Sequence, residues 1–600
     1  MYLRRRRVFR ATVAHVIGTW LLLQIFGMGF VAFGIPETAL RYVLYAAILG
    51  YPVTIFFTWR YEVTVKGITR AGTSNLALTR SDFFTITSLL VVVIIISLGM
   101  LGKVADTQLQ SLVEESVQVI PPNSVAVLPF VNMSDDPGNE YFSDGITEEL
   151  LDRLAKLDEL SVAARTSSFF FKGKDLPITD IAATLGVRNI VEGSVRKAGN
   201  RVRITAQLID ADRGFHLWSE TFDRDLTDIF AVQDELANSI ARELARLLGA
   251  GQFIVPVDLQ SQTKNLEAYD LFLQGQHQLQ LRGEAAIQRS IDLFTKAVEI
   301  DSEFARAYEA LATAYAILPE YSDESAIEAY AIATGHATRA IELEPSAGGP
   351  HGILGYMNMR RWRWMNADPQ FYRALELDKN NATVHQWHSN YLNDVLYGAD
   401  ALLAAQRAHK IDRASPAVNV VLAFNYVLSG NKYNELALKH SAAAKEYGYA
   451  GLFEDHMVFV VTLRRGEFEQ AALKLTRAYQ EADKDTSWIS PFTNAMRDPR
   501  EVSQALEALA TAQANGQASD GELFFRYSLL GRVDEFFALA SKHIDDQRLP
   551  YVYTLLPEAG PIRADPRYAE LLEKIGLIEF WREFGWPIVC QPEAEAVLCQ

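Results

Sequence analysis

Four small groups of residues have the types and spacing to do chemistry. His385 and His388 stand three apart in a helix-periodic segment, so both imidazoles share one face, as two ligands to a transition metal would. No carboxylate or cysteine stands at a matching third position, and no metal site is expected. Arg196, Lys197, Arg201 and Arg203 gather on neighbouring strand segments. They read either as a solvated face whose charges blunt edge pairing or as a docking patch for an acidic partner. Met359-Arg-Arg-Trp-Arg-Trp-Met365 combines cations with indoles, the ingredients of an aromatic–basic ligand site. Cys590 and Cys599 are the only cysteines, and read either as two free thiols in a frayed tail or as a short-loop disulfide. Asp135 and Asp136 lack the ligand spacing of a calcium loop. G-x-S-x-G, HExxH, P-loop and Rossmann patterns are missing from the sequence, so no catalytic residue, no cofactor and no enzymatic activity is expected.

The elements that would carry these residues follow from periodicity. Val202, Ile204, Ala206 and Leu208 alternate with Arg201, Arg203, Thr205 and Gln207, which predicts a strand with one buried and one polar face. Ala198-Gly199-Asn200 supplies the turn before it and Asp210 to Gly214 the turn after it. Strands are also predicted at Ser124–Phe130, Leu160–Ala164 and Phe215–Thr221, and around Val191, Gly193 and Val195, which alternate with polar residues. Helices are predicted from Ile146, Leu150, Leu151 and Leu154, from 178 to Gly186, and from Ile229 to Leu247. The resulting order is β-α-β-α-β-β-β-α, a mixed sheet with helices on one face.

Six hundred residues exceed a single core, and the formal charge of −17 is uneven. Residues 1–103 carry eleven Lys or Arg against three acids, which leaves the remainder at −25. So acidic a remainder argues against nucleic acid as a partner. Three apolar runs, 11–33, 40–59 and 83–101, are long enough to cross a bilayer. Basic residues before the first and between the second and third predict a cytoplasmic N-terminus. The expectation is therefore a bacterial inner-membrane anchor over 1–102, a linker over 103–122, and a periplasmic remainder. Association through the spans is a further expectation; Gly27, Gly29 and Gly34 read either as sites of close helix packing or as merely tolerated glycines.

From about Leu266 a five-residue phrase recurs: Ala297-Val-Glu-Ile-Asp301, Ala340-Ile-Glu-Leu-Glu344, Ala374-Leu-Glu-Leu-Asp378 and Ala408-His-Lys-Ile-Asp412, at spacings of 43, 34 and 34 residues. Thirty-four is the period of tetratricopeptide (TPR) repeats, which the segment resembles. The expected organisation is an α/β domain over 123–250, repeats over 265–485, and degenerate helical pairs with a C-terminal cap over 486–600. In this repeat type Trp362 and Trp364 fall where tryptophans precede a helix, which implies packing.

The α/β segment also resembles the TolB-like N-terminal domain of bacterial membrane-linked regulatory proteins. The resemblance rests on SVAVLPF from Ser124, EYFSDGITEELLDRLAKL from Glu140, VAARTSSF from Val162, VEGSVRKAGNRVRITAQLIDA from Val191, HLWSETFDR from His216 and DIFAVQDELA from Asp228. It implies a non-enzymatic sensing or protein-binding module. Many relatives of this type join it to a DNA-binding, nucleotide-cyclase or kinase output domain, and no such domain is expected in this sequence. They also end in an FGWP segment followed by cysteine, as at Phe584–Pro587 here, and this favours the Cys590–Cys599 disulfide. The expected function is a scaffold that binds a protein or envelope component in the repeat groove. The alternative is a regulator working through a separate DNA-binding or cyclase partner.

Overall fold

The computed structural model describes residues 61–64, 67–70, 120–157, 160–248, 263–322, 325–544, 550–593 and 596–599. The chain divides into two units, Met1–Ser116 and Val117–Gln600. In the first, β1 (Tyr61–Thr64) and β2 (Gly67–Arg70) form an antiparallel hairpin.

In the second unit, residues 124–248 build a mixed sheet. β3 (Ser124–Val127), β5 (Ser161–Val162) and the long β6 (Asn189–Ala198), β7 (Arg201–Asp210) and β8 (Phe215–Asp225) lie in the order β5-β3-β6-β7-β8, and the two-residue β4 (Val131–Asn132) also pairs with β6. β3 runs parallel to β5 and β6, whereas β6, β7 and β8 are antiparallel. Val202, Ile204, Ala206 and Leu208 are all buried beneath α1 (Glu140–Ala155) and the helix Ile229–Leu248.

The other face is covered only over β3 and the start of β6, and its β7–β8 part is exposed. Short helices α2 (Arg165–Phe169) and α3 (Ile178–Leu185) precede β6, and α4 (Ile229–Leu248) follows β8. Ile181 and Leu185 of α3 pack with Ala126, Ile190 and Ala211 in a second small core, while Val125 and Val127 face the larger one. The continuous apolar run at β3 thus reflects burial of both faces, where one covered face was expected. Gly186 ends α3 at φ +68, the left-handed conformation that glycine adopts without a Cβ clash.

Helical hairpins follow. α5 (Leu266–Leu281) pairs with α6 (Glu284–Ile300), α7 (Ala305–Ile317) with α8 (Ala326–Leu343), and α9 (Gly348–Met359) with α10 (Trp364–Leu377). Next come α11 (Ala382–Asp394) with α12 (Gly398–Ile411), α13 (Pro416–Leu428) with α14 (Asn434–Glu446), and α15 (Phe453–Arg464) with α16 (Phe468–Glu481). Last are α17 (Ile489–Arg497) with α18 (Val502–Ala514) and α19 (Asp520–Leu529) with α20 (Val533–His543).

The recurrent phrase closes one helix of each of four successive pairs. Ala297, Ala340, Ala374 and Ala408 are buried, and their carbonyls accept from the N–H of Asp301, Glu344, Asp378 and Asp412. Small residues there let neighbouring helices approach, and stacking buries faces that no single pair could cover. The result is a TPR-like solenoid.

The C-terminal segment carries α21 (Pro566–Lys574) and α22 (Leu577–Phe584) and runs back to the middle of the solenoid. Trp364 Nε1 donates to the Ile575 carbonyl at 2.7 Å and Trp581 Nε1 to the Val395 carbonyl at 3.0 Å. Arg464 grips Glu558 through two bonds of 2.7 and 2.8 Å. The terminal hairpin β9 (Cys590–Glu593) and β10 (Ala596–Cys599) ends the chain.

The membrane architecture and inner-membrane location expected from the N-terminal apolar runs are corrected. Among the described residues no helix is long and apolar enough to cross a membrane. The runs 11–33, 40–59 and 83–101 themselves lie outside the described residues. Run length measures apolar content, whereas spanning requires a helix that satisfies its own backbone; the described backbone between the last two runs is the β1–β2 hairpin. The described fold is mostly helical with a small mixed sheet, and association through spans has no support in it.

Candidate functional site

The sheet layer and the first repeats share one hydrophobic core, in which Phe142, Ile146 and Leu150 of α1 belong to the same cluster as Tyr269, Phe272 and Leu273 of α5. Polar contacts lock this seam. Tyr141 donates to Asp270 at 2.7 Å and Gln233 to the Tyr269 hydroxyl at 2.7 Å. Arg306 of α7 joins buried Glu149 and, at 2.6 Å, Asp152, both on α1. Farther along, Asp412 accepts from Ser167 N at 3.0 Å and Ser167 Oγ at 2.5 Å, and Ala164 N donates to the Ile411 carbonyl. Burial pushes the Asp412 carboxyl up to about 6 despite the Ser167 bonds. The Phe170 ring meets Tyr447 edge-on at 4.9 Å. The sheet layer therefore follows the solenoid from α5 to the end of α14. A polar cavity of about 540 Å³ at the seam is lined by Tyr141, His277, Arg289 and Lys296 among others.

Beyond Tyr447 the sheet layer stops and a cleft opens. It has a volume of about 590 Å³ and is walled by Phe453 and His456 of α15, Glu522 and Phe525 of α19, and Tyr553. Its mouth carries Asp483, Lys484 and Asp485 from the α16–α17 connection and Gln517 and Ser519 from the α18–α19 connection. Local sequence shapes both connections. Asp483 sits at φ +53, and Asp485 accepts from Ser487 N at 3.0 Å. Ser519 and Glu522 form a reciprocal capping box that starts α19.

Behind the wall lies a polar hub. Tyr479 donates to Glu522 at 3.0 Å and receives Arg526 Nη2 at 3.2 Å, and its oxygen lies 2.8 Å from His456 Nε2. The Arg526 guanidinium stacks 3.5 Å over the Trp488 ring. Burial, reinforced by Arg526, pushes His456 down to about 4, so it is neutral near pH 7. Burial alone would raise Glu522, but the Ser519 N–H and Arg526 hold it below the usual carboxylate range.

The residues singled out in the sequence are placed as follows. Arg196, Arg201 and Arg203 share the solvent face of the sheet, where Asp223 binds both Arg201 and Arg203 and Asp135 binds Arg196 at 3.3 Å. Lys197 lies on the opposite face, 4.7 Å over the Phe142 ring and 3.5 Å from Asp270. His385 and His388 are buried, and His385 Nε2 lies 3.0 Å from the Lys379 carbonyl. Trp364 is buried against the returning C-terminal segment and Trp362 lies beside Tyr551. Cys590 and Cys599 are joined as a disulfide across the terminal hairpin. The cleft went unread in the sequence because its residues come from 452 to 553 and no short motif joins them.

No family model matches the chain. Over 189 residues it is 44% identical to "Putative adenylate cyclase 3" of Rhizobium meliloti (strain 1021), a match covering 31% of this chain and 32% of that protein. The chain thus spans about a third of the length of the curated relative it matches. Among solved structures it is similar to TTC0263, a thermophilic TPR protein of Thermus thermophilus, at 16% identity and a TM-score of 0.27, over 32% of this chain and 98% of that one. It is likewise similar to Pseudomonas aeruginosa pilF, at 14% identity and a TM-score of 0.29, over 40% of this chain and 98% of that one.

Proposed function

We propose that the chain is a non-catalytic protein-interaction scaffold, a TolB-like sheet layer fused along a TPR-like solenoid whose free part receives a segment of a partner protein. The observation that carries this reading is the division of the solenoid: the sheet layer covers it as far as Tyr447, and the cleft between α15 and α19 is left open. A cavity of this size with aromatic walls and a few polar groups is what a bound side chain or short segment requires.

A photo-crosslinking side chain at Gln517, at the mouth, tests this in the producing cell against the same group at Leu473, an exposed position on α16. A discrete protein adduct from position 517 and none from 473 is expected. Equal labelling at both, or none at 517, overturns the reading.

A second reading, that the scaffold serves a signalling output held by another chain, is favoured by the similarity to a protein named as an adenylate cyclase. Under it, the protein captured at 517 carries a cyclase or DNA-binding domain, and the purified chain makes no cyclic AMP from ATP. Cyclic AMP formed by the purified chain alone would overturn the non-catalytic assignment.

A further inference from the structure

We propose that the outer edge of β8 pairs antiparallel with β8 of a second copy of the chain, joining the two sheets into one across a two-fold axis at Phe222.

The two edges of the sheet differ in how they end. β5 is two residues long, and beside it Ala164 N donates to the Ile411 carbonyl of the solenoid, which closes that edge. β8 runs for eleven residues and pairs only with β7, so every second residue turns its N–H and C=O outward. Among the described residues no other backbone meets that row. The Arg224 guanidinium, which donates to the Asp223 carbonyl at 3.2 Å, is the one side chain bonded to the backbone of the strand. An open row of this length, with no proline, glycine or lysine in it, is a template for another strand.

The side chains select the mate. Pairing with β7 puts Trp218, Glu220, Phe222 and Arg224 on the face beneath α4, and Ser219, Thr221, Asp223 and Asp225 on the solvent face. A two-fold axis perpendicular to the sheet keeps each face continuous across the junction. An axis at Glu220 or Asp223 would set two carboxylates opposite each other, and one at Ser219 or Thr221 would set Glu220 against an aromatic ring. With Phe222 at the axis, Glu220 stands opposite the partner subunit's Arg224, and the reciprocal pair repeats the contact. Trp218 then stands opposite the partner subunit's Leu226, and Thr221 and Ser219 stand opposite acids rather than acids opposite acids. Glu220 is exposed and has no ion pair among the described residues, and Arg224 reaches Glu235 only at 3.5 Å. Charges that would repel an arbitrary strand thus complement this one.

The test uses the purified full chain, which is expected to sediment as a dimer at about 50 μM. Glu220→Arg and Arg224→Glu each set like charges opposite each other, and each is expected to weaken dimerisation at least about tenfold. The exchange Glu220→Arg/Arg224→Glu is expected to restore it. All these side chains are exposed, so the variants preserve the fold. The register is read from Ser219→Cys/Asp225→Cys, whose thiols stand opposite each other between copies. Along one strand the two positions lie about 20 Å apart, too far to join within a chain. Oxidation with copper phenanthroline is expected to link two copies of this double variant and to link neither single cysteine variant. Edge pairing is overturned by a monomeric chain, by single charge variants that dimerise as tightly as the parent, or by an exchange that restores nothing. Equal cross-linking in the single and double cysteine variants overturns it as well.

Discussion

The two halves of the solenoid meet the rest of the molecule in opposite ways. Between α5 and α14 the edge is closed by the sheet layer, with apolar packing beneath and charges paired across the seam. Between α15 and α19 the same kind of edge is open, and its buried polar groups turn on a histidine and an arginine. The repeat does not dictate which half is covered. Asp301 and Asp378 end equivalent helices, and each accepts from an N–H two residues on, at Glu303 and Asn380. Asp412 ends the same phrase and accepts instead from Ser167, 245 residues away. One carboxylate turned outward converts a turn into a docking contact.

The largest effect is expected from Arg306→Ala at the seam. Arg306 binds Glu149, a carboxylate 4% exposed, and its guanidinium lies 5.1 Å from the Phe272 ring centroid. Removing the cation leaves a buried charge unpaired, which costs about 3–5 kcal/mol. Urea unfolding followed by peptide-resolved hydrogen exchange should show the loss in 140–157 and 266–317 and leave 453–529 unchanged. Equal loss in both regions would mean that the halves are a single cooperative unit.

Acidification should drive the two halves apart. Asp412 is raised from its ordinary 3.8 to about 6, so its contribution to stability is complete below 3.8 and lost as pH rises through 6. His456 is lowered from 6.5 to about 4, so its contribution is complete above 6.5 and lost as pH falls through 4. Between pH 7 and pH 5 the seam should therefore gain, and the cleft lose, about 1–2 kcal/mol each. Hydrogen exchange at the two pH values, corrected for intrinsic rates, reads both. Asp412→Asn should remove the pH response around 164–167 and 411–415 and leave that of the cleft.

A smaller seam effect is expected from Gly186→Ala. The residue lies at φ +68, where an L-residue costs about 1–2 kcal/mol. A Cβ would also displace the Arg413 guanidinium, whose carbon would lie 2.2 Å away. That group is the end of a flexible side chain, so the backbone term dominates. The loss should appear in α3 and around 411–414, measured as a lowered Tm with the cleft's partner binding intact.

How much of this was legible follows from the range of each interaction. The alternation of Val202, Ile204, Ala206 and Leu208 and the recurring Ala297, Ala340, Ala374 and Ala408 are local patterns, and each marks a buried face. Strand register could also have paired Arg203 with Asp223, because the two stand opposite in a hairpin with a short turn. By contrast, Tyr141 with Asp270, Ser167 with Asp412, and Trp364 with Ile575 are separated by 129, 245 and 211 residues. The copy at Asp412 carries His409-Lys410 where the others carry an aliphatic residue and Glu, but that difference does not point to Ser167. The cleft is harder still, since its walls come from three separate segments and its chemistry depends on which way one tyrosine donates.

The smallest effect on either half is expected at the C-terminus, where Cys590 and Cys599 close a hairpin with a sequence separation of nine. A short cross-link restricts chiefly the conformations of its own loop. The Cys590 and Cys599 side chains are nearly fully buried, but the intervening Gln591, Pro592 and Glu593 are exposed. The returning segment is held upstream, by Trp364 on Ile575 and Trp581 on Val395, neither of which involves the hairpin. Cys599→Ser should therefore speed hydrogen exchange within 590–599 and leave the seam, the cleft and α22 at their original protection. If protection at α22 fell as well, the hairpin would be part of what ties the C-terminal segment to the middle of the solenoid, and the open half would owe part of its rigidity to the end of the chain.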